Sequence, residues 1–360
     1  MTSENLITAL RMQGEICTQL GSPFNGALLA SAADDVASGG PVLALAAPWA
    51  EATIRDLFND AMPLRLVGAL HDLALSGEDP ALAAAYPKPG READPAAAWL
   101  AARTAMIRLR DRLAAFMSHE PQTNEVRRSV CLAPGFLQIA RETGLPIRAF
   151  EIAASAGLNL NWDHYAYRFG EAVWGDGPVA IDTDWTGPAP PVDAAVKVIE
   201  RAACDRRPGD LSDPDQRRRL LAYIWPDQFE RLARIRAAID LARQLGVTVE
   251  AADAVDWTAR VAAPKAGAVT VLYHSVFWQY MPAERQAALT AVIEDLGARA
   301  SSEAPFAWLR MEPPPQNMAG MEVRLTMWPG REERILAEVH PHGAWVKWLD
   351  GSGARPEAEA

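Results

Sequence analysis

Hydrophobic positions fall into two regimes along the chain. Before Leu145, apolar residues recur at helical spacing: Leu6, Leu10, Cys17 and Leu20 fall close to one helix face. Asp94-Pro95 reads as a helix cap with proline at the first helical position. Trp99, Met106, Leu109, Leu113, Phe116 and Met117 then line one side of the helix that it opens. Val42 to Ala47 suits either a short strand or a buried helical turn, and Tyr86 to Asp94 reads as a loop.

From Leu145 on, strand-length apolar runs alternate with helical patterns, the signature of a parallel sheet covered on both faces. The strands expected are Ile147–Ala153, Val196–Ala202, Val247–Ala251, Ala268–His274 and Phe306–Met311. Ser212-Asp213-Pro214 opens a helix that runs to about Trp225, where Pro226 breaks it. Phe229 to Leu245 continues a helical face capped by Gly246, and Pro282 to Leu296 is helical with Gly297 as its stop. Val323–Trp328 and Ile335–Val339 are separated only by a turn, which allows an antiparallel hairpin but no crossover helix. Residues 165–190 read as an insertion with a hairpin of its own. The expected organisation is a helical domain over 1–143, an α/β domain over 144–350 with a mostly parallel sheet closed by an antiparallel hairpin, and a disordered tail over 351–360.

Composition narrows the partners. Of 360 residues 49% are hydrophobic, enough for a sizeable core, and the net charge is −11. With no basic stripe carrying interleaved aromatics, neither nucleic acid nor an anionic membrane is an expected partner. Cys17, Cys131 and Cys204 form neither a C-x-x-C pair nor a disulfide framework, which fits a reducing cytoplasm. The N-terminus lacks the basic-then-apolar pattern of a signal peptide, and no apolar run reaches the roughly 20 residues of a membrane helix.

The chemistry gathers around IRAFEIAASAGLNL, residues 147–160. An apolar run ends in Glu151, small residues from Ala153 to Gly157 follow, and a new segment opens at Leu158, Asn159 and Leu160. Small residues let backbone approach a ligand, and a helix start presents free N–H groups. Two chemistries use this device. One is binding of a nucleotide or of S-adenosylmethionine (SAM), with Glu151 as the acid. The other is a nucleophile elbow with Ser155 in an A-x-S-x-G turn.

Five strands linked by helices and closed by a hairpin make the C-terminal domain resemble the Rossmann-like class I SAM-dependent methyltransferase fold. Ligands of open α/β sheets lie outside the carboxyl ends of the strands. In this reading Glu151, Ala153, Ser155, Gly157 and Asn159 hold the amino-acid end of SAM. Glu200 or Asp205 meets the ribose, and Asp253 or Asp256 the adenine amino group. His274 is the natural base, and Trp278, Gln279 and Tyr280 wall the transfer site. Asn124 and Glu125 contribute from the other side, while Trp162 and Tyr165 form either an aromatic wall or core. The helical domain then covers the carboxyl edge of the sheet, and the ligand is a small molecule.

Over nearly its whole length the chain also resembles a bacterial family known as domain of unknown function 2332. The residues that carry this are Gln122–Glu125, EIAASAGLNL from Glu151, Trp162-Asp163 with Tyr165 and Tyr167, and Trp225–Gln228. His274–Tyr280, WLRMEP from Trp308, and His340 to Trp345 complete them. The resemblance implies little about activity. Members of that family usually carry glycine where this chain has Ala153, and the extra methyl narrows the approach to a cofactor.

Other readings remain. A serine hydrolase would use Ser155 as nucleophile, Asp253 or Asp256 as the orienting acid and His274, His340 or His342 as base. Against it, those folds place several strands before the elbow, whereas the first ~140 residues here look helical, and no His-Gly oxyanion loop precedes Ser155. A non-catalytic protein that binds a nucleotide or SAM is the third reading. His340 and His342 would share a strand face, but Pro341 between them speaks against zinc, so no metal is expected.

Overall fold

The computed structural model describes residues 2–314 and 320–349. The chain divides into two compact units, one of Met1–Thr123 with Asp213–Arg236, the other of Asn124–Ser212 with Ala237–Ala360. The expected boundary at 143 therefore moves. Residues 124–143 belong with the sheet, and residues 213–236 belong with the first helices. The tail expected over 351–360 lies outside the described residues.

The first unit is helical: α1 (Thr2–Gln19), α2 (Pro23–Ala37), α3 (Val42–Leu45), α4 (Ile54–Asn59), α5 (Met62–Ser76), α6 (Pro80–Ala85), α7 (Pro95–Arg108), α8 (Arg110–Met117) and α10 (Pro214–Ala222). Sidechain caps set the starts. Asp94 accepts from Ala96 and Ala97 N–H, Asp213 from Asp215 N–H, and Thr53 with Asp56 closes a capping box. Val42 to Leu45 is a helical turn rather than a strand. The single helix expected after Asp94 breaks at Leu109 into α7 and α8, and Leu20 is 52% exposed rather than on the buried face. Buried Asp72 of α5 pairs with Arg112 of α8 and Arg218 of α10, which satisfies a charge that the apolar core could not hold alone.

The second unit is α/β. Its strands are β1 (Ile147–Ile152), β2 (Ala166–Phe169), β3 (Ala172–Trp174), β4 (Ala180–Thr186), β5 (Val198–Asp205), β6 (Glu250–Ala251), β7 (Val269–Ser275), β8 (Phe306–Glu312), β9 (Met321–Trp328), β10 (Glu332–Val339) and β11 (Trp345–Trp348). They form one mixed sheet in the order β3-β2-β4-β11-β10-β9-β8-β7-β1-β5-β6. From β6 to β8 all pairings are parallel, and β8, β9, β10 and β11 then pair antiparallel. The expected hairpin of β9 and β10 is present, but it does not close the sheet. β11 pairs parallel with β4 and brings the β2–β3 hairpin of the insertion into the same sheet.

β1, β7 and β8 are almost wholly buried, as apolar runs in a sheet covered on both faces must be. α9 (Ser129–Thr143) packs so closely on β8 that a methyl at Gly135 would stand 2.6 Å from Leu309. α11 (Phe229–Gln244), α12 (Ala254–Val261) and α13 (Ala283–Ala298) supply further helices. Gly297 does not stop α13. It lies inside the helix, because a methyl there would land on the Trp328 ring.

Candidate functional site

β1 sits between β5 and β7, both parallel to it. From β1 the chain runs first through β2, β3 and β4 at the far end of the sheet; it then enters β5 on one side of β1 and later β7 on the other, so the parallel strands that follow diverge from the carboxyl end of β1. Such a divergence opens a crevice, the usual ligand position in parallel sheets. The register sets Glu151 opposite Ala203 of β5 and Tyr273 of β7.

The turn that follows is sharply folded. Ala153 (φ 56°), Ser155 (φ 55°) and Gly157 (φ 74°) are all left-handed, a region that costs non-glycine residues on the order of 1 kcal/mol or more. Its backbone donors are held by the chain itself. Ala154 N–H donates to Cys204 O at 3.0 Å, Ser155 N–H to Asp205 Oδ2 at 2.8 Å, and Gly157 N–H to Ala154 O at 2.8 Å. Leu158 N–H donates to Asn124 Oδ1 at 3.0 Å. Four N–H groups of the turn and of the expected helix start are thus spent, and Leu158–His164 is a 3-10 segment. Gly157 is needed for its φ and for a close approach to its own chain: a methyl there would lie 2.8 Å from Val249 and 2.9 Å from Val247.

Side-chain oxygens of the turn and of the segment after it stand unpartnered. Ser155 Oγ, Asn159 Oδ1 and Asn161 Oδ1 are buried with no hydrogen-bond partner. The Tyr273 hydroxyl stands 3.4 Å from both Glu151 Oε2 and Asn159 O. Burial pushes the Glu151 carboxyl up to about 8; the Tyr273 contact opposes that rise and the nearby Asp205 charge adds to it. A buried group of acceptors beside an acid without a counter-charge suits a ligand that brings donors and positive charge, not a phosphate.

Several expected site residues have other duties. His274 is fully buried. Trp308 Nε1–H donates to its Nε2 at 3.1 Å, so its Nδ1 carries the hydrogen toward Glu312 Oε1 at 2.7 Å. With both ring nitrogens engaged, His274 is not placed as a base. Glu312 also accepts from Phe277 N–H at 2.9 Å, pinning a turn in which the β-branched Val276 has φ 53°. Beyond it, Trp278 stacks on His274, while Gln279 and Tyr280 are exposed. Trp162 and Tyr165 are core: Trp162 stacks on Phe136 and Trp174, and Tyr165 OH donates to Leu158 O at 2.5 Å.

Asn124 and Glu125 brace the turn rather than face a substrate. Glu125 O accepts from Asn159 Nδ2, and its carboxylate accepts from Arg127 N–H. Asp205 Oδ1 accepts from Arg207 N–H at 2.8 Å, so both its oxygens are used by backbone. Glu200 pairs with Arg148, away from the carboxyl end of β5. Asp253 caps α12 and pairs with Arg285, and Asp256 is exposed in the first turn of that helix.

Tyr273, Asn161 and Arg201 were not singled out from sequence, and Asp163, which was, had no partner assigned; Arg201 holds it with bonds of 3.1 and 2.9 Å. Tyr273 carried a signal, a phenol inside the apolar run VTVLYHS; the others depend on tertiary placement. Among the described residues no group of three or more His, Cys, Asp or Glu is arranged to hold a metal, and no helix is long and apolar enough to cross a membrane.

Comparison with curated proteins and with solved structures finds no match to this chain. A family model described as "Uncharacterized protein conserved in bacteria (DUF2332)" matches residues 8–348, and the chain belongs to that family.

Proposed function

We propose that the second unit is Rossmann-like and binds SAM at the carboxyl end of β1, and that the chain is a methyltransferase-like protein acting on a small molecule. Two features support the fold part. In chain order the parallel strands lie 3-2-1-4-5, and the acid and small-residue turn stand at the switch point. The observation that carries the ligand is the set of buried acceptors, Ser155 Oγ and Asn159 Oδ1, beside Glu151. These residues fit the ammonium group of SAM, while the carboxylate beside it would have to meet other donors. Asp205 does not offer a free carboxylate to a ribose, because it holds Ser155 and Arg207 N–H.

When bound, SAM supplies an electrophilic methyl on a sulfonium. The part of this chain is then to grip and orient: Glu151 and Asn159 accept from the ammonium, and Tyr273 fixes the Glu151 carboxyl. Proximity and alignment are the main catalytic contribution available, since His274 has no free lone pair. The net charge of −11 favours a small-molecule acceptor over nucleic acid, and three buried free thiols suit the reducing cytoplasm. The hydrolase reading draws on the left-handed φ of Ser155, but no histidine engages its Oγ.

The test is calorimetric titration with SAM and S-adenosylhomocysteine. Micromolar binding is expected, weakened about 10- to 100-fold in Glu151→Gln through loss of a charged hydrogen bond worth about 1.5–3 kcal/mol. Absence of binding to both ligands, or equal binding by the variant, refutes the reading. Labelling of Ser155 by a fluorophosphonate would put the hydrolase in its place.

A further inference from the structure

Glu151 is a carboxyl in a position where a carboxylate is poorly supported. It is 3% exposed and forms no ion pair with any described residue. Its surroundings can be taken element by element. From β7 comes the Tyr273 hydroxyl, 3.4 Å from Oε2. From β5 come Asp205, which repels it, and Arg201, whose charge is already committed to Asp163 through two hydrogen bonds. From the segment after the turn come Tyr165 and Asp163, a phenol and a second acid. Among the described residues the charge that acts on Glu151 is the negative one of Asp205, and the nearby Arg201 is already paired with Asp163. One weak hydroxyl contact cannot replace the hydration that an ionised carboxyl loses on burial.

We propose that a cationic ligand at this site displaces a proton from Glu151, which is a neutral acid before the ligand arrives and a carboxylate paired with the ligand's cation afterwards. The inference rests on the SAM reading and adds a regulation to it. The ligand keeps its own ammonium protons. The O–H bond of the Glu151 acid breaks, the electron pair stays on the carboxylate, and the proton leaves to solvent. The buried acceptors Asn159 Oδ1 and Ser155 Oγ take the remaining ligand donors, so that the charge pair forms in a site already free of competing cations. Affinity for a cationic ligand then rises with pH, roughly tenfold per unit, until Glu151 ionises unaided. The upward push of burial on this carboxyl, to about 8, agrees with that window. A neutral ligand shows no such slope.

The experiment is titration calorimetry of the full chain near pH 6.5 in two buffers of different ionisation enthalpy, with SAM and with 5′-methylthioadenosine, which lacks the amino-acid group and the cation. Infrared spectra of wild type and Glu151→Gln follow the protonated-carboxyl band. Expected are release of about one proton per SAM bound, loss of the band on SAM addition, and neither effect with methylthioadenosine. If the band is absent from ligand-free wild type, the inference falls and the functional reading stands. If SAM binds without releasing a proton, the same holds. If the band is present but SAM does not bind, the functional reading fails and the coupling fails with it.

Discussion

Asp205→Asn separates a structural from a ligand-binding role for the acid at the end of β5. The carboxylate accepts two backbone bonds of 2.8 Å, from Ser155 on Oδ2 and from Arg207 on Oδ1. An amide offers one carbonyl oxygen and one NH2, so one of the two N–H groups must face a donor. A hydrogen bond to a charged group is worth about 1.5–3 kcal/mol, and the residue is only partly buried, which favours the lower half. The lost bond also releases Ser155 from a left-handed conformation that costs on the order of 1 kcal/mol to hold. We expect Asp205→Asn to lose about 2 kcal/mol and Asp205→Ala, which loses both bonds, about 3–4 kcal/mol. Urea unfolding at neutral pH measures the loss, and hydrogen exchange at the Ser155 amide should speed up in parallel. Asparagine within about 0.5 kcal/mol of wild type, with Ser155 protection unchanged, refutes this role. A variant that stays stable but loses SAM affinity would return Asp205 to the ribose.

Three further outcomes are expected. Because the folded-state carboxyl of Glu151 lies above its ordinary value, at about 8, wild type loses stability as pH rises from the normal carboxyl range to about 8. Glu151→Gln lacks that loss, so between pH 6 and pH 8 the variant gains about 2 kcal/mol relative to wild type, at up to ~1.4 kcal/mol per unit; parallel urea curves contradict this. Gly157→Ala should cost about 1–3 kcal/mol through its φ of 74° and the close Val247 and Val249 methyls, and Val249→Ala in the same chain should restore part of it. Gly297→Ala improves helix propensity by about 1 kcal/mol but presses on the Trp328 ring; a lower thermal midpoint shows that packing wins, and a higher one shows that the ring yields.

Much of the framework was legible because it depends on local signals. β1, β7 and β8 are mostly apolar segments of strand length, and Asp94-Pro95 and Asp213-Pro214 mark the starts of α7 and α10. What was illegible depends on partners far away in sequence. Gly297 looks like a helix stop, and only Trp328 explains it. β11 is four residues long, too short for its alternation to stand out. At the site, Glu151 announced itself as an acid that ends an apolar run. Asp205 and His274 were assigned by residue type, and their true partners only emerge from the fold: Ser155 is 50 residues from Asp205, and Glu312 is 38 residues from His274.

β11 has a practical consequence for anyone who trims or tags the protein. Four residues near the C-terminus pair on one side with Val339 to Ala337 and on the other with Asp184 to Thr186. The approach to β11 is held as well, by Asp184 N–H on Ala344 O and Thr183 Oγ1 on Gly343 O. A cut just before Trp345 would expose two raw strand edges, β4 and β10, each with unpaired backbone groups ready to recruit another chain. Loss of this short segment by proteolysis or an over-eager deletion should thus surface first as aggregation on storage, before any change in ligand binding is measured. A purification handle belongs beyond Leu349, behind a flexible spacer.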